Sequence, residues 1–379
     1  MNKVYDCVIV GAGPAGGAAA IQLSRAGRKV LVFEKGPPDR YKPCGGGTSS
    51  IIGELLDLDL KAVVSQTVNT IRYTRKKNDP VDVILETPEP LWMVRRNIFD
   101  RFLTREAEKQ GAEIQYNTEV TAVDFNCGNW QLTTPFDQIE SKFLVAADGA
   151  KGKMAKNLGF KNRKRQVGGA IEAEVPACTS NEHIAHFDFG IANGYSWSFP
   201  KSDGYSIGTG IFNGSQHQSL KQEVSQYASM FGIDLNSVKQ FGHPLNTWNG
   251  NQRLHTENQR AVLAGEAACV VDPLTAEGIR PSILSGVLAG RAIDQALAGN
   301  PHSIEGYTQD IGNELGRDMW WAKQLAKLLY SSGGFCYRSV VKVPLATQTM
   351  SGILQGKLRY RNLLSRGLMR LGKLCCGIN

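Results

Sequence analysis

The sequence has no CxxC pair, no run of 18 uninterrupted apolar residues, no internal repeat and no low-complexity linker. Each absence removes a class of protein. The eight cysteines (Cys7, Cys44, Cys127, Cys178, Cys269, Cys336, Cys375 and Cys376) are scattered, which argues against a disulfide framework or zinc site and for reduced, intracellular thiols. His183 and His186 are three residues apart, but only the neighbouring Glu182 could join them, so no metal site is expected. Without a long apolar run, no membrane-spanning helix is expected. Asp6 interrupts the first apolar run and a glycine-rich loop follows, so no secretory signal is expected and the Asn213-Gly214-Ser215 sequon carries no weight. These readings place the protein in the cytoplasm.

Charge of one sign is missing from most of the chain. From Gly316 onward there are eleven Lys and Arg against the single acid Asp318, whereas the preceding residues hold 32 basic and 34 acidic side chains. The whole excess of +8 therefore sits in the tail, and the body offers no electrostatic footprint for nucleic acid. What remains is globular: 379 residues, 42% apolar and 21% charged, enough for two or three packed units.

The N-terminus reads as a β-turn-α-β unit. Val4 to Val10 is a short apolar strand, and Gly11, Gly13 and Gly16 form GxGxxG before a helix-compatible run. A second strand, Lys29 to Phe33, ends in Glu34, 18 residues after Gly16. One glycine permits the tight turn, one lets the backbone approach a pyrophosphate, and one lets helix pack on strand. The helix N-terminus offers N–H groups to the anion, and Glu34 can accept hydrogen bonds from ribose hydroxyls. This unit predicts a dinucleotide but does not separate FAD from NAD. Further on, 65–73 and 81–87 alternate like strands, 97–110 reads as a helix, and 119–145 as three short strands. Residues 167–247 read as a separate sheet, 277–297 as a helix and 304–329 as another.

Three later segments decide for FAD: Ala147-Asp148-Gly149, Gly265-Glu266-Ala267-Ala268, and Asp272-Pro273-Leu274-Thr275-Ala276-Glu277-Gly278-Ile279. With the N-terminal loop, they resemble the flavoprotein group that includes p-hydroxybenzoate hydroxylase. Two further motifs, Pro43-Cys44-Gly45-Gly46-Gly47 and Tyr195-Ser196-Trp197-Ser198-Phe199-Pro200-Lys201, resemble the geranylgeranyl reductase family over roughly residues 3–300. The fold implied is α/β: a Rossmann-like FAD-binding domain (1–64, 95–165, 257–300) interleaved with an antiparallel-sheet substrate domain (65–94, 166–256), then a helical, basic C-terminal region (301–379). The resemblance places Gly11, Gly13, Ala15, Gly16, Glu34, Lys35, Cys44, Gly45, Arg96, Val120, Asp148, Gly149, Glu266, Pro273, Gly278 and Ile279 around FAD. It gives Arg96 the phosphates, a role suited to a guanidinium, and brings the backbone of Gly278 and Ile279 to the flavin ring. Two positions depart from the family: Glu266 stands where an Asp is usual, and Ala276 where a Gly is usual. A Cβ at Ala276 would crowd the turn if φ were positive.

On a strand, Tyr195, Trp197 and Phe199 share one face, as pocket wall or as core, and Pro200 is expected to end that strand. A similar Trp-x-Trp-x-Ile-Pro pattern marks flavin-dependent halogenases, so this motif by itself chooses no reaction. Cys44 is the candidate catalytic residue, able to line the pocket or deliver a proton. The reading that follows is reduction of C=C bonds in an isoprenoid or prenylated lipid by hydride from reduced FAD. With a single GxGxxG, NADPH or another electron donor must bind without its own Rossmann domain. The alternative is a flavin monooxygenase or halogenase of the same fold. A halogenase needs a pocket lysine, and Lys76-Lys77 sit in a polar turn. In the tail, a helix over Lys357–Cys376 would put Tyr360, Leu364, Leu368, Leu371 and Cys375 on one face. It serves either as a peripheral membrane anchor or as a terminal helix packed on the body. Trp320-Trp321 has the same two readings, core or interface.

Overall fold

The computed structural model describes residues 4–85, 91–160, 166–176, 183–212, 219–331 and 337–363. The sequon at Asn213 and the tail from Leu364 onward lie outside the described residues.

Three sheets and a set of C-terminal helices make up the molecule, an α/β fold as expected. The first sheet has seven strands, in the order Glu113–Gln115, Val30–Phe33, Val4–Val10, Gln138–Ala146, Asn129–Thr133, Ala122–Asn126. Its seventh strand, Ala261–Leu263, pairs in parallel with the end of Gln138–Ala146. The central strands Val4–Val10 and Val30–Phe33 are almost wholly buried, which is why they read as continuous apolar runs rather than alternating ones. Pro14 opens the helix Pro14–Arg25, where its missing N–H is no loss.

That helix crosses Ile279–Leu297 closely. A Cβ on Gly286 would stand 2.1 Å from the Ala15 carbonyl oxygen, and one on Gly290 2.7 Å from Gln22 Cβ. Small residues on both helices thus let the backbones meet, and the helix that starts at the late turn is held against the phosphate loop.

The second sheet also has seven strands: Gln240–Thr247, Gln166–Pro176, Gly204–Ile211, Gly194–Lys201, Ile184–Asp188, Thr70–Arg75 and Asn78–Ile84. All its pairings are antiparallel except Ile184–Asp188 with Thr70–Arg75. A small sheet of Gly47–Thr48, Leu91–Val94 and Val64–Val68 lies between the others in sequence and carries the glycine loop.

Four expectations need correction. The stretch 65–73, read as one strand, is two, Val64–Val68 in the small sheet and Thr70–Arg75 in the second. Pro200 does not end its strand: Gly194–Lys201 runs on, with Pro200 opposite Tyr205. Pairing with Ile184–Asp188 has stopped at Ser198, so the missing N–H of Pro200 breaks no ladder bond. The single helix read over 304–329 is two, Ser303–Ile311 and Arg317–Ser331, joined by a π turn at Gly312–Gly316. There Gly316 packs so closely that a Cβ would meet Asn251 and Trp248. Finally, the tail is not helical from Lys357. Residues 357–361 form turns, Tyr360 is buried, and Arg359 pairs with Glu314 at 2.8 Å. The described part of the tail is packed on the body.

Candidate functional site

The loop after the first strand is built around Glu34. Its carboxylate accepts from the N–H of Ala12 (3.0 Å) and of Gly36 (3.1 Å), and Arg40 Nε lies 3.0 Å away. Gly11 takes φ +105°, and a Cβ there would stand 2.4 Å from the Ala147 carbonyl oxygen. Gly16 is equally constrained, 1.8 Å from the Gly11 oxygen. Gly13 differs. Its backbone is ordinary extended (φ −81°, ψ −173°), and its Cβ direction meets only the tips of Arg40 and Arg96, at 3.8 and 3.9 Å. Open space faces Gly13, beneath two guanidinium groups.

Arg96 is buried and bonds Asp100 through Nε and Nη2, each at 2.8 Å. Arg40 reaches the same carboxylate at 3.2 Å. Across the loop, Asp148 Oδ2 accepts from the Met154 N–H at 2.8 Å, while Oδ1 is buried without a partner among the described residues. Burial pushes the Asp148 carboxyl above its ordinary pKa.

The turn Asp272–Gly278 forms the next wall. Ala276 adopts φ +56°, so its Cβ sits in the strained left-handed region. Ala276→Gly is expected to stabilise the protein by about 0.5–1 kcal/mol, the left-handed penalty less the entropy of glycine. Urea unfolding of the two forms measures it, and equal midpoints would contradict the strain. Tyrosine hydroxyls from three elements hold this turn: Tyr195 donates to Thr275 O (2.5 Å), Tyr330 to Leu274 O (2.6 Å) and Tyr360 to Asp272 Oδ2 (2.9 Å). Burial raises the pKa of Asp272 and of Glu277, with Arg280 Nη2 2.9 Å from Glu277. Gly278 and Ile279 start the following helix, whose first-turn N–H groups have no intrahelical acceptor.

Glu266 lies opposite, beside His243 Nε2 (3.3 Å) and Lys42 Nζ (3.6 Å). Although burial opposes it, His243 and Lys42 hold the Glu266 carboxyl below its usual range. Burial also lowers the pKa of both His243 and Lys42. The longer side chain at this position is thus matched by two bases, which the sequence does not place together.

The aromatic strand faces this space. Tyr195, Trp197 and Phe199 are buried and line the same cavity, so the core and pocket readings both hold. Phe187 stands 5.2 Å from Tyr195 and 5.0 Å from Phe199, and Phe212 stands 5.0 Å from Tyr195. The glycine loop rests on this wall, since a Cβ on Gly45 would stand 2.8 Å from the Phe199 ring. Lys201 pins the loop from below, donating to Gly45 O (2.6 Å) and Val94 O (3.0 Å), with its pKa lowered by burial. Glu172 accepts from the Cys44 N–H (2.7 Å), Tyr41 (2.7 Å) and Ser206 (3.2 Å), and burial raises its pKa. Cys44 is half-buried at the cavity edge, its sulfur 3.3 Å from the Gly46 nitrogen.

All of this encloses one cavity of about 690 Å³ that runs from Gly13 and Glu34 to Trp197 and Phe199. Every residue expected around FAD lines it except Gly16 and Pro273, which are buried outside the lining. A family model described as FAD binding domain matches residues 4–310. The chain belongs to the FAD-binding-domain family. It is an FAD-dependent oxidoreductase, and FAD is its cofactor. Digeranylgeranylglycerophospholipid reductase 3 of Methanosphaera stadtmanae is 26% identical over 360 residues, covering 87% of this chain and 88% of that protein. Menaquinone reductase of Mycobacterium tuberculosis is 27% identical over 383 residues, covering 92% and 91%. A solved geranylgeranyl bacteriochlorophyll reductase-like protein from Thermoplasma acidophilum shares the fold, with a TM-score of 0.82 at 22% identity, covering 98% of this chain and all of that one.

The cavity fits the cofactor on its own features. Gly13 opens onto free space under two cations, where a pyrophosphate can lie, and the orphaned Asp148 oxygen can accept from a ligand hydroxyl. Sequence reasoning missed Arg40, Lys42, Glu172, Phe187, Lys201, Phe212 and His243. Of these, only Lys201 lies within a recognised motif; the others come from strands or loops with no pattern of their own. Neither Lys76 nor Lys77, weighed for a halogenase, lines the cavity, and Lys77 donates its ammonium to Gln226 O at 2.6 Å.

Proposed function

We propose that the protein saturates C=C bonds of an isoprenoid or prenylated lipid. The observation that carries this reading is the continuity of the cavity. The phosphate loop and Glu34 line the same cavity as five aromatic residues, Phe187, Tyr195, Trp197, Phe199 and Phe212. The named relatives that act on geranylgeranyl groups or menaquinone support it.

When bound, reduced FAD supplies a hydride to one alkene carbon, and the other carbon takes a proton. An isolated alkene has no carbonyl to accept charge, so the protein's part is to position the bond, exclude water and hold that proton. Arg96 and the N–H groups behind Gly13 would bind the phosphates, Glu34 would hold the ribose, and the N–H groups at the helix start, Gly278 and Ile279, would serve the flavin ring. The aromatic wall takes the hydrocarbon through apolar burial. Cys44, which lines the same cavity as Arg96 and the aromatic wall, is our candidate for the residue that delivers the proton. The basic tail beyond Leu363 gives the chain a peripheral contact with anionic lipid, and NADPH is one candidate reductant.

The test is anaerobic. Enzyme whose FAD has been reduced with dithionite is mixed with geranylgeranyl lipids and with menaquinone, and products are read by mass spectrometry. Products heavier by two hydrogens per reduced bond are expected. Failure on every prenyl substrate, with a long-lived oxygen adduct when air is admitted, would sink the reading in favour of a monooxygenase.

A further inference from the structure

A second cavity of about 500 Å³ adjoins the aromatic wall. It shares Phe187, Tyr195, Thr275 and Leu354 with the first. Its remaining lining comes largely from the C-terminal helices Arg317–Ser331 and Pro344–Leu354 and is mostly apolar. The outer end is unusual for a protein surface. Leu328, Val343 and Leu345 line the cavity and yet are 55%, 41% and 45% exposed. Large apolar side chains scattered singly on a surface need no explanation, but three at one cavity mouth do.

The charge around this mouth has one sign in excess. Lys327 is exposed beside Leu328, and Lys342 beside Val343. Within 337–363 there is no acidic residue, against Arg338, Lys342, Lys357, Arg359 and Arg361. Asp79 reaches in to pair with Lys342 at 2.6 Å, and Glu314 with Arg359 at 2.8 Å. The chain leaves the described region at Leu363, itself part of the lining, and continues through Arg366, Arg370 and Lys373 with no acid. A protein partner would have to match an open hole. A bilayer does not: acyl chains fill apolar space of any outline, and anionic headgroups meet a basic surround.

We propose that the mouth formed by Leu328, Val343 and Leu345 is a membrane-docking port, seated on an anionic bilayer so that the second cavity opens into the acyl layer. Lipid then reaches the aromatic wall from the membrane without crossing water. The docking does not depend on which lipid is reduced, whereas the delivery route rests on the reductase reading.

The experiment is co-flotation of full-length, FAD-loaded protein with vesicles of phosphatidylglycerol and phosphatidylcholine, with pure phosphatidylcholine as control. Most of the wild-type protein is expected to float with the anionic vesicles, and less as salt rises. L328E/V343E/L345E is expected to float at least fivefold less, with FAD content unchanged to show that it has folded. An apolar exchange, L328I/V343I/L345I, is expected to float like wild type. Wild-type protein that stays with the soluble fraction, or a glutamate variant that floats equally, overturns the port; equal flotation hands membrane contact to the tail alone. No substrate is present, so failure here leaves the reductase reading untouched.

Discussion

Gly13→Val is expected to give a folded, colourless protein. The backbone there is extended, which a β-branched residue adopts freely, and the added Cβ touches only the ends of two flexible arginines at 3.8 and 3.9 Å. As the residue preceding a helix, valine is a weaker cap than glycine, so the apoprotein should lose only about 1 kcal/mol. The isopropyl group, however, fills the space where the backbone must approach a pyrophosphate. A loss of about 4 kcal/mol in binding corresponds to roughly a thousandfold in FAD affinity. Titration of apoprotein with FAD, followed by flavin fluorescence, reads the affinity, and thermal melting reads the fold. Gly11→Ala is the contrast: strained at φ +105° and 2.4 Å from a carbonyl oxygen, it should unfold the domain whether or not FAD is added. A yellow, stoichiometric Gly13→Val protein would show that the phosphates lie elsewhere.

The second large effect concerns the buried pair. Arg96→Ala leaves Asp100 buried with only Arg40, 3.2 Å away. Breaking a buried ion pair from one side costs about 3–5 kcal/mol, and the remaining arginine should keep this case near the lower figure. That loss alone would not reveal what Arg96 does for the cofactor. Replacing both partners with apolar groups is often close to neutral, so Arg96→Met with Asp100→Leu should recover most of the stability. It should not recover FAD binding, which we expect to stay at least tenfold weaker than wild type because a guanidinium facing Gly13 is gone. Urea unfolding of the apoproteins and FAD titration separate the two roles. A double variant that binds FAD normally would reduce Arg96 to a scaffold residue.

The legible parts of the site are those where local geometry forces a residue type. Gly11 and Gly16 each have a carbonyl oxygen where a Cβ would go, so the loop announces itself through glycine spacing. Glu34 was readable from its place at the end of the second strand, 18 residues after Gly16, where a carboxylate can accept from ribose hydroxyls; its bonds to the N–H groups of Ala12 and Gly36 were not. The alternation at Tyr195, Trp197 and Phe199 gave a shared face. Whether that face was core or pocket had no answer in the strand itself, because burial is the same in both cases. The π turn at Gly312–Gly316 was invisible for a similar reason: helical periodicity persists across one extra residue, and the residues Gly316 packs against, Asn251 and Trp248, lie on another segment.

The sequence by itself determined the dinucleotide loop, the strands that carry it and the composition of the aromatic strand, because each is set by neighbours within a few residues along the chain. Only the tertiary structure decided the charges that surround the cofactor space. Arg40 and Arg96 meet over Gly13, Lys42 and His243 meet at Glu266, and Lys201 reaches under the glycine loop. These partners stand tens to hundreds of positions apart, and a buried charge is tolerable only where folding brings its counter-charge or hydrogen bonds to it. No local pattern encodes that coincidence.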